Sequence, residues 1–446
     1  MQLTKTLKRL KIGDVAVRRN PWFYSEARRE LAALASADLD VRREWTEARL
    51  RQILRAASRS KYGRRFAASD DLKHWPLLDK TLVRVDPTAV QTGARLTVKA
   101  STGGTSGMPL KLVRSLRSVA FEQACIDLMM MELGVEPQDA RMAVLRGDDI
   151  KPPGDMTPPY WRLVAGGERL LLSSNHLTPA TASDYAKAIE DFAPDVLWAY
   201  PTSIEALCVN LERSGRKLRV PRVLTSSEVL GSAVWGLIER TLGSQVVDYY
   251  GQAERVAFAY AASSRTYRFL PGYAHVELER VADEGATHRY EIIGTSLWNT
   301  AMPLIRYRTG DHIRLPARYT ERELTEIAYG VRSFDGVLGR DSDILISPEG
   351  GRLTGIDHFQ RDVSNLVRIQ VIQEALNDVR ILVLATSQFS DTDSARLLRN
   401  ARNKLPPSMR VHIERVDSLE RTALGKTPFV IHRGAVQAQS QSHANT

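Results

Sequence analysis

Between residues 142 and 250, short apolar stretches alternate with amphipathic ones, and that rhythm leaves few folds open. MAVLR (142–146) and RLLLS (169–173) read as strands, and TASDYAKAIEDF (181–192) reads as a helix. DVLWAY (195–200) is again a strand, TSIEALCVNLERSG (202–215) a helix stopped by Gly215, and VPRVLTSS (220–227) a strand. A helix through Val229–Leu242 leads into SQVVDYY (244–250). Strand and helix in strict alternation predict a mixed or parallel sheet with helices on its faces.

The flanks complete the outline. Residues 23–60 carry a helical pattern, with Trp45, Ile53, Leu54 and Ala57 at helical spacing. WPLLDK (75–80) is a turn into a short helix, and RLTVKA (95–100) alternates like a half-buried strand. Leu110 and Leu112 alternate again, and a long helix follows from about Leu116 to Leu133. Residues 257–315 turn to strands, among them YAHVELERV and RYEIIGTSL. Near GRDSDI (339–344) the pattern resets: RIQVIQEA and DVRILVLA form a hairpin, SARLLRNARNKL a helix and VHIERV a last strand. The expectation is an α/β protein. A large N-terminal α/β domain over 1–338 has mixed sheets flanked by helices plus a β-rich lobe, and a small α+β domain covers 339–446. The tail AVQAQSQSHANT has too little apolar content to pack and is expected to be disordered.

Composition narrows the function. The 62 Lys and Arg against 52 Asp and Glu leave +10, which suits an anionic ligand such as a nucleotide or simply a solvated basic surface. No basic block is interleaved with aromatics, so nucleic-acid binding stays a minor hypothesis. Two cysteines, Cys125 and Cys208, cannot build a disulfide framework, and both fall in helix interiors as small hydrophobes. No apolar run is long enough to cross a membrane, and the start MQLTKTLKRLKIGD has no apolar signal core; the chain is expected to be cytoplasmic. Its oligomeric state is left open.

One segment speaks of chemistry. Ser101, Thr102, Gly103, Gly104, Thr105, Ser106 and Gly107 combine three glycines with four hydroxyls. A linker would separate two folding units, but this run sits between alternating strands inside one. Glycines that turn amide N–H groups inward, with hydroxyls beside them, make an anion nest. The run is not a Walker loop, because no lysine follows Gly107; the GKT at 425–427 has Glu420 where the first glycine belongs.

STGGTSGMPLK resembles the phosphate loop of the adenylate-forming superfamily, and most closely its phenylacetate–CoA ligase and CapK-like branch. Later motifs follow in the family order: SSEVL (226–230), DYYGQAER (248–255), PLIRYRTGD (303–311), GRDSD (339–343) and ERTALGK (420–426). Weaker similarity reaches WPLLDK and YPTS (200–203), so nearly the whole chain is covered. The resemblance implies an ATP-dependent enzyme that joins a carboxylic acid to AMP, releases pyrophosphate, and transfers the acyl group to CoA. Transfer to an amine or a carrier-protein thiol is the alternative, and a nucleotide-binding protein without turnover is the rival outside catalysis. Neither nucleic acid nor membrane is implied as a partner.

By the same resemblance, residues 101–107 grip the β- and γ-phosphates and Glu254 binds Mg²⁺. Tyr250 stacks on adenine, Asp248 accepts from its amino group, and Ser227, Glu228 and Gln252 complete the nucleotide site. Asp311 holds the ribose hydroxyls, Arg340 reaches ribose or phosphate, and Lys426 on the small, mobile domain is the catalytic lysine. Tyr200, Ser203 and Gly251 line the acyl pocket. Plainer readings exist for each type: a surface glutamate at a helix start for Glu254, a core aromatic for Tyr250, a cap for Asp248, a turn residue for Asp311, a surface ion pair for Arg340 and a solvated lysine for Lys426. Ala253 and Ser342 depart from the family pattern, one losing a phosphate-facing hydroxyl and the other altering the hinge.

Overall fold

The computed structural model describes residues 14–66, 71–101, 110–146, 150–151, 155–340, 345–348, 352–353, 356–360, 363–421 and 427–434. Strands β1 (Thr97–Ser101) and β2 (Lys111–Ser115) pair antiparallel with Ser101 opposite Lys111, so the strands expected on either side of the glycine–hydroxyl run are each other's partners. The run itself, Thr102–Gly107, lies outside the described residues.

The main sheet holds β3 (Met142–Leu145), β4 (Trp161–Val164), β5 (Arg169–Leu172), β6 (Val196–Ala199), β7 (Arg222–Ser226), β8 (Gln245–Gly251), β9 (Phe258–Ala261) and β10 (Arg268–Phe269). Their spatial order is β10-β9-β8-β7-β6-β3-β5-β4. The central β8, β7, β6, β3 and β5 run parallel, and β4, β9 and β10 extend the edges antiparallel. This is the mixed sheet that the alternation predicts.

Side-chain alternation sorts each strand between two cores. Val223 and Val246 pack with helices Ala182–Phe192, Pro201–Ser214 and Ser232–Leu242, whereas Leu224 and Val247 pack with helix Leu116–Glu132. Gly215 and Gly243 end two of these helices at φ +67° and +63°, where a side chain would be strained. The helix expected from Val229 begins at Ser232, because Gly231 is extended and serves as its N-cap.

A second sheet, β11 (Ala274–Glu284), β12 (Thr287–Ser296), β13 (Tyr307–Pro316) and β14 (Val337–Arg340), is antiparallel throughout. It is the expected β-rich lobe, and β14 carries it to Arg340. Beyond it, β15 (Leu345–Ile346) pairs with β16 (Arg352–Leu353). Then β17 (Leu366–Ala375), β18 (Asp378–Ala385), β19 (Arg410–Arg415) and β20 (Val430–His432) form a sheet in the order β19-β18-β17-β20. With helix Asp391–Arg402 they close a hydrophobic cluster of their own around Ile369, Val371, Ile381 and Leu397. The tail expected to be disordered lies outside the described residues. Cys125 and Cys208 are buried and free. Among the described residues no helix is long and apolar enough to cross a membrane.

The second sheet meets the first at one very close approach. A β-carbon on Gly294 of β12 would stand 2.0 Å from the carbonyl oxygen of Val256. Val256 follows Glu254 by two residues, so this contact seats the turn that carries a predicted site residue. Gly294→Ala forces the two backbones apart and is expected to cost about 1–3 kcal/mol, as overpacking does. The measurement is the shift in urea midpoint, and an unchanged midpoint would show that the sheets can part there freely.

Candidate active site

The carboxyl ends of parallel strands are where an open α/β sheet presents a ligand crevice. Tyr250 and Gly251 close β8 at that edge, and Ser227 and Glu228 follow β7. Along β8 the period of two places Val246, Asp248 and Tyr250 on one face.

Tyr250 is the centre of a short relay. Its hydroxyl donates to Asp311 Oδ2 at 2.8 Å and accepts from Gln252 Nε2 at 2.7 Å. Gln252 is fixed in turn by the Ala257 N–H on its Oε1 at 3.3 Å. Asp311 reaches Tyr250 because β13 bulges. The register shifts between Glu291 and Ile293, and Gly310 takes φ +70°. Thr309 Oγ1 fills the interrupted ladder, donating to the Ile292 carbonyl at 2.7 Å and accepting from the Asp311 N–H at 3.0 Å. The Thr-Gly-Asp sequence is thus a bulge inside a strand, not a loop turn, and the glycine supplies its conformation. Arg340 on β14 is the register partner of Asp311.

Glu254 is no surface helix residue. It lies in the turn after β8, its side chain 2% exposed. Tyr307 Oη donates to its Oε1 at 3.0 Å, and Lys80 Nζ stands 3.2 Å from the same oxygen. Lys80 arrives through WPLLDK, whose Leu78 exchanges backbone hydrogen bonds with Arg306 (2.8 Å) and Arg308 (3.0 Å). Arg114 of β2 donates to the Ala253 carbonyl at 2.7 Å, which ties the strand leaving the glycine–hydroxyl run to the same turn. Sequence reasoning did not assign Lys80, Tyr307 or Arg114. The lysine of WPLLDK and the tyrosine of PLIRYRTGD were visible as motif members, but nothing in their spacing says that they converge on Glu254.

Asp248 stands one step behind. Thr225 Oγ1 donates to its Oδ1 at 2.5 Å and Tyr267 Oη to its Oδ2 at 2.6 Å, so both oxygens are engaged inside the fold. Glu228 has two partners from different parts of the chain. Its Oε2 accepts from the Thr202 N–H at 3.0 Å, at the start of helix Pro201–Ser214, and its Oε1 accepts from the Thr427 N–H at 3.2 Å. Thr427 is the residue after Lys426, so the end of the C-terminal motif meets the segment after β7. Lys426 itself lies outside the described residues, as does Ser342. Ser227 holds the left-handed φ of +73° and accepts from Arg146 Nη2 at 3.1 Å.

The pocket residues separate. Tyr200 sits at the end of β6, its N–H donating to the Leu145 carbonyl at 3.0 Å, and Gly251 pairs with Phe258 across β8 and β9. Ser203 is fully buried and donates to Ser174 Oγ at 3.1 Å, so it faces the core behind that edge. Ser101 is exposed at the mouth of the β1–β2 pair.

Charges also cross between the main sheet's helices and the C-terminal sheet. Arg368 Nε stands 3.0 Å from Glu205 Oε2, and its Nη2 donates to the Val229 carbonyl at 3.1 Å. Burial pushes the Glu205 carboxyl up to about 7, opposed by Arg368 and Arg421 and reinforced by Glu228.

Comparison with known proteins shows what the chain is similar to. The CapK C-terminal domain family matches residues 345–433. Protein CapK of Staphylococcus aureus is 22% identical over 351 residues, which cover 75% of this chain and 74% of that protein. The phenylacetate-coenzyme A ligase of Escherichia coli (strain K12) is 30% identical over 194 residues, 41% of this chain and 42% of that enzyme. Among solved structures, 2-hydroxyisobutyryl-CoA ligase in the postadenylation state superposes at TM-score 0.60 and 16% identity, covering 90% of this chain and 91% of that one.

Burial raises the Asp248 carboxyl from its ordinary 3.8 to about 6, while the Thr225 and Tyr267 hydroxyls pull it down. The folded protein therefore holds this proton more tightly than the unfolded chain. The resulting stabilisation is complete below about pH 4 and is lost as pH rises through about 6. Asp248→Asn cannot ionise and still pairs with both hydroxyls. It is expected to gain stability relative to the natural protein from about pH 4 to about pH 6 and to keep a constant advantage above. Paired urea midpoints across that range check this; a difference independent of pH would show that Asp248 does not titrate there.

Proposed function

The chain belongs to the adenylate-forming superfamily, on its CapK and phenylacetate–CoA ligase branch, and on that premise we propose that it activates a carboxylic acid with ATP and transfers the acyl group to CoA. In the first step a carboxylate oxygen bonds to the α-phosphorus, the bond to the bridging oxygen breaks, and pyrophosphate leaves. In the second, the CoA sulfur bonds to the acyl carbon, AMP leaves, and the thiol proton is released. The observation that best supports this reading is the joined set Gln252–Tyr250–Asp311 at the carboxyl edge of the sheet, with Thr427 on Glu228 nearby in the chain order of the motifs.

In this reading Asp311 takes the ribose hydroxyls, Tyr250 lies against the adenine, and Asp248 fixes the strand beneath it through Thr225 and Tyr267. Residues 101–107 and Arg340 meet phosphate or ribose. Mg²⁺ can be held by a single protein carboxylate, because it shares its remaining oxygen ligands with phosphate and water. Glu254 is such a carboxylate, and among the described residues no cluster of three metal-ligating side chains competes with it. The ion would supply neutralising charge for the phosphates, and Lys80 beside Glu254 adds a fixed cation at the same place. Tyr200 and Gly251 border the acyl pocket, and the finer choice of acceptor is CoA.

Acid-dependent ATP–pyrophosphate exchange tests the first half-reaction. Adding CoA should then speed AMP release strongly; if an amine or carrier-protein thiol does so and CoA does not, the acceptor is reassigned. Lys426→Ala is expected to lose about 10²–10³ in adenylate formation, the scale of a donor aimed at developing charge. Given presynthesised acyl-adenylate, the same variant should still transfer at a near-natural rate. Equal loss in both steps would remove Lys426 from the first.

The ribose contact is made alike in ground and transition states. Asp311→Ala should therefore raise KM for ATP with kcat much less changed. Steady-state kinetics at varied ATP decides it, and an unaltered KM would place Asp311 outside the nucleotide site.

A further inference from the structure

Arg146 follows β3 at the same carboxyl edge, and the mechanism above leaves it unused. Its guanidinium carbon lies 4.2 Å from the Trp198 ring centroid and 5.4 Å from that of Tyr200. One of its N–H groups, on Nη2, donates to Ser227 Oγ at 3.1 Å. Nε is buried with no hydrogen-bond partner. Among the described residues no carboxylate pairs with Arg146, in contrast with Arg19, Arg306, Arg308 and Arg368, each of which meets one.

A guanidinium presents five donors in a rigid plane, and two aromatic rings fix that plane here. Bracing Ser227 takes one donor, and cation–π contact with the rings is worth about 0.5–2 kcal/mol. Neither supplies the counter-charge that a partly desolvated cation calls for. An anion would.

Its source follows from the strand order. β3, β6, β7 and β8 are successive neighbours with Leu145, Ala199, Thr225 and Asp248 in register, so Arg146 and Tyr200 lie level with Ser226 and Tyr249, and Ser227 and Tyr250 are the next residues out along the same edge. At about 4.8 Å per strand, Arg146 lies roughly 14 Å across the sheet from Tyr250. Glu254, which the proposed function gives to Mg²⁺ and phosphate, lies in the turn beyond β8, where Arg114 of β2 holds the Ala253 carbonyl, at the far end of that row. The space beside Tyr200 is left to the acyl group. Resting on the proposed acid activation, we propose that Arg146 binds a second anionic group on the acid, so that the substrate class is carboxylic acids bearing a carboxylate or similar oxyanion at the end away from the adenylated one.

ATP–pyrophosphate exchange without CoA tests this on matched pairs: hexanoate with adipate, and phenylacetate with homoterephthalate. The natural protein should favour the dianionic member of a pair in kcat/KM by about tenfold or more. Arg146→Gln should lower kcat/KM for the dianionic acids roughly a hundredfold while leaving the neutral acids and KM for ATP unchanged. Arg146→Lys should recover part of the preference. A natural preference for the neutral members, or a loss in Arg146→Gln that is equal for both members, overturns the inference and leaves acid activation standing. A raised KM for ATP in Arg146→Gln would make Arg146 a brace for Ser227 and the nucleotide instead. Absence of exchange with every acid overturns the proposed function and this inference together. Because CoA is omitted, a contact between Arg146 and CoA cannot produce the expected result.

Discussion

The site is organised around a carboxylate that cannot remain alone. Glu254 is buried, and breaking the pairing of a buried charge typically costs about 3–5 kcal/mol. Its partners come from far away in the chain: Lys80 from the turn before the β1–β2 pair and Tyr307 from the start of β13. The backbone bonds of Leu78 with Arg306 and Arg308 hold those two segments side by side. Arg114 then fastens β2 to the carbonyl next to Glu254. Stretches near residues 80, 114, 254 and 307 thus become one object, to which the β1–β2 pair is tied through Arg114.

How much of this the sequence discloses depends on whether the signal is periodic. The parallel centre of the main sheet is legible because each strand is a short apolar run and each helix a longer amphipathic one. Gly215 marks a helix end for a reason readable in one letter, its freedom to take positive φ. Convergence is a different matter. That Lys80 meets Glu254 depends on a bridge between Leu78 and Tyr307, and no local pattern encodes a pairing over that separation. The bulge that turns Asp311 toward Tyr250 is likewise invisible, although its glycine is in plain sight. Ser203 misleads for the opposite reason. A serine in a strand–helix turn resembles a ligand contact, and only three-dimensional burial shows that its hydroxyl is spent on Ser174.

Carboxylates of similar intrinsic acidity are driven apart by where they sit. Asp248 has only hydroxyl partners, so burial prevails and its proton is retained to about pH 6. Glu205 faces Arg368 and Arg421 and is still pushed up, because burial outweighs two cations and Glu228 adds a like charge. Asp311 accepts from a tyrosine that is itself oriented by Gln252, and that hydrogen-bond chain fixes its position. Arg146 is the complement of these cases: a cation whose planar face is covered by rings, whose Nη2 meets Ser227 and whose buried Nε meets no acceptor, with no carboxylate paired to it among the described residues.

Glu228 shows how the two sheets can be joined without being locked. One of its oxygens accepts from Thr202 at a helix start, where the helix dipole favours a negative charge, and that bond stays within the main sheet's own layer. The other accepts from Thr427, and Arg368 reaches the Val229 carbonyl close by. The two hydrogen bonds across the seam, to Thr427 and from Arg368, are ones that water can replace, so parting them costs the net value of each bond, about 0.5–1.5 kcal/mol, not its full strength. A seam of leucines would resist in proportion to the area exposed. The polar character of this one therefore suits contacts that can part and re-form, as the proposed two-step reaction would require of the C-terminal sheet. The carboxylate that holds Thr427 has a second, separate partner in the Thr202 N–H, so its position does not depend on the contact across the seam.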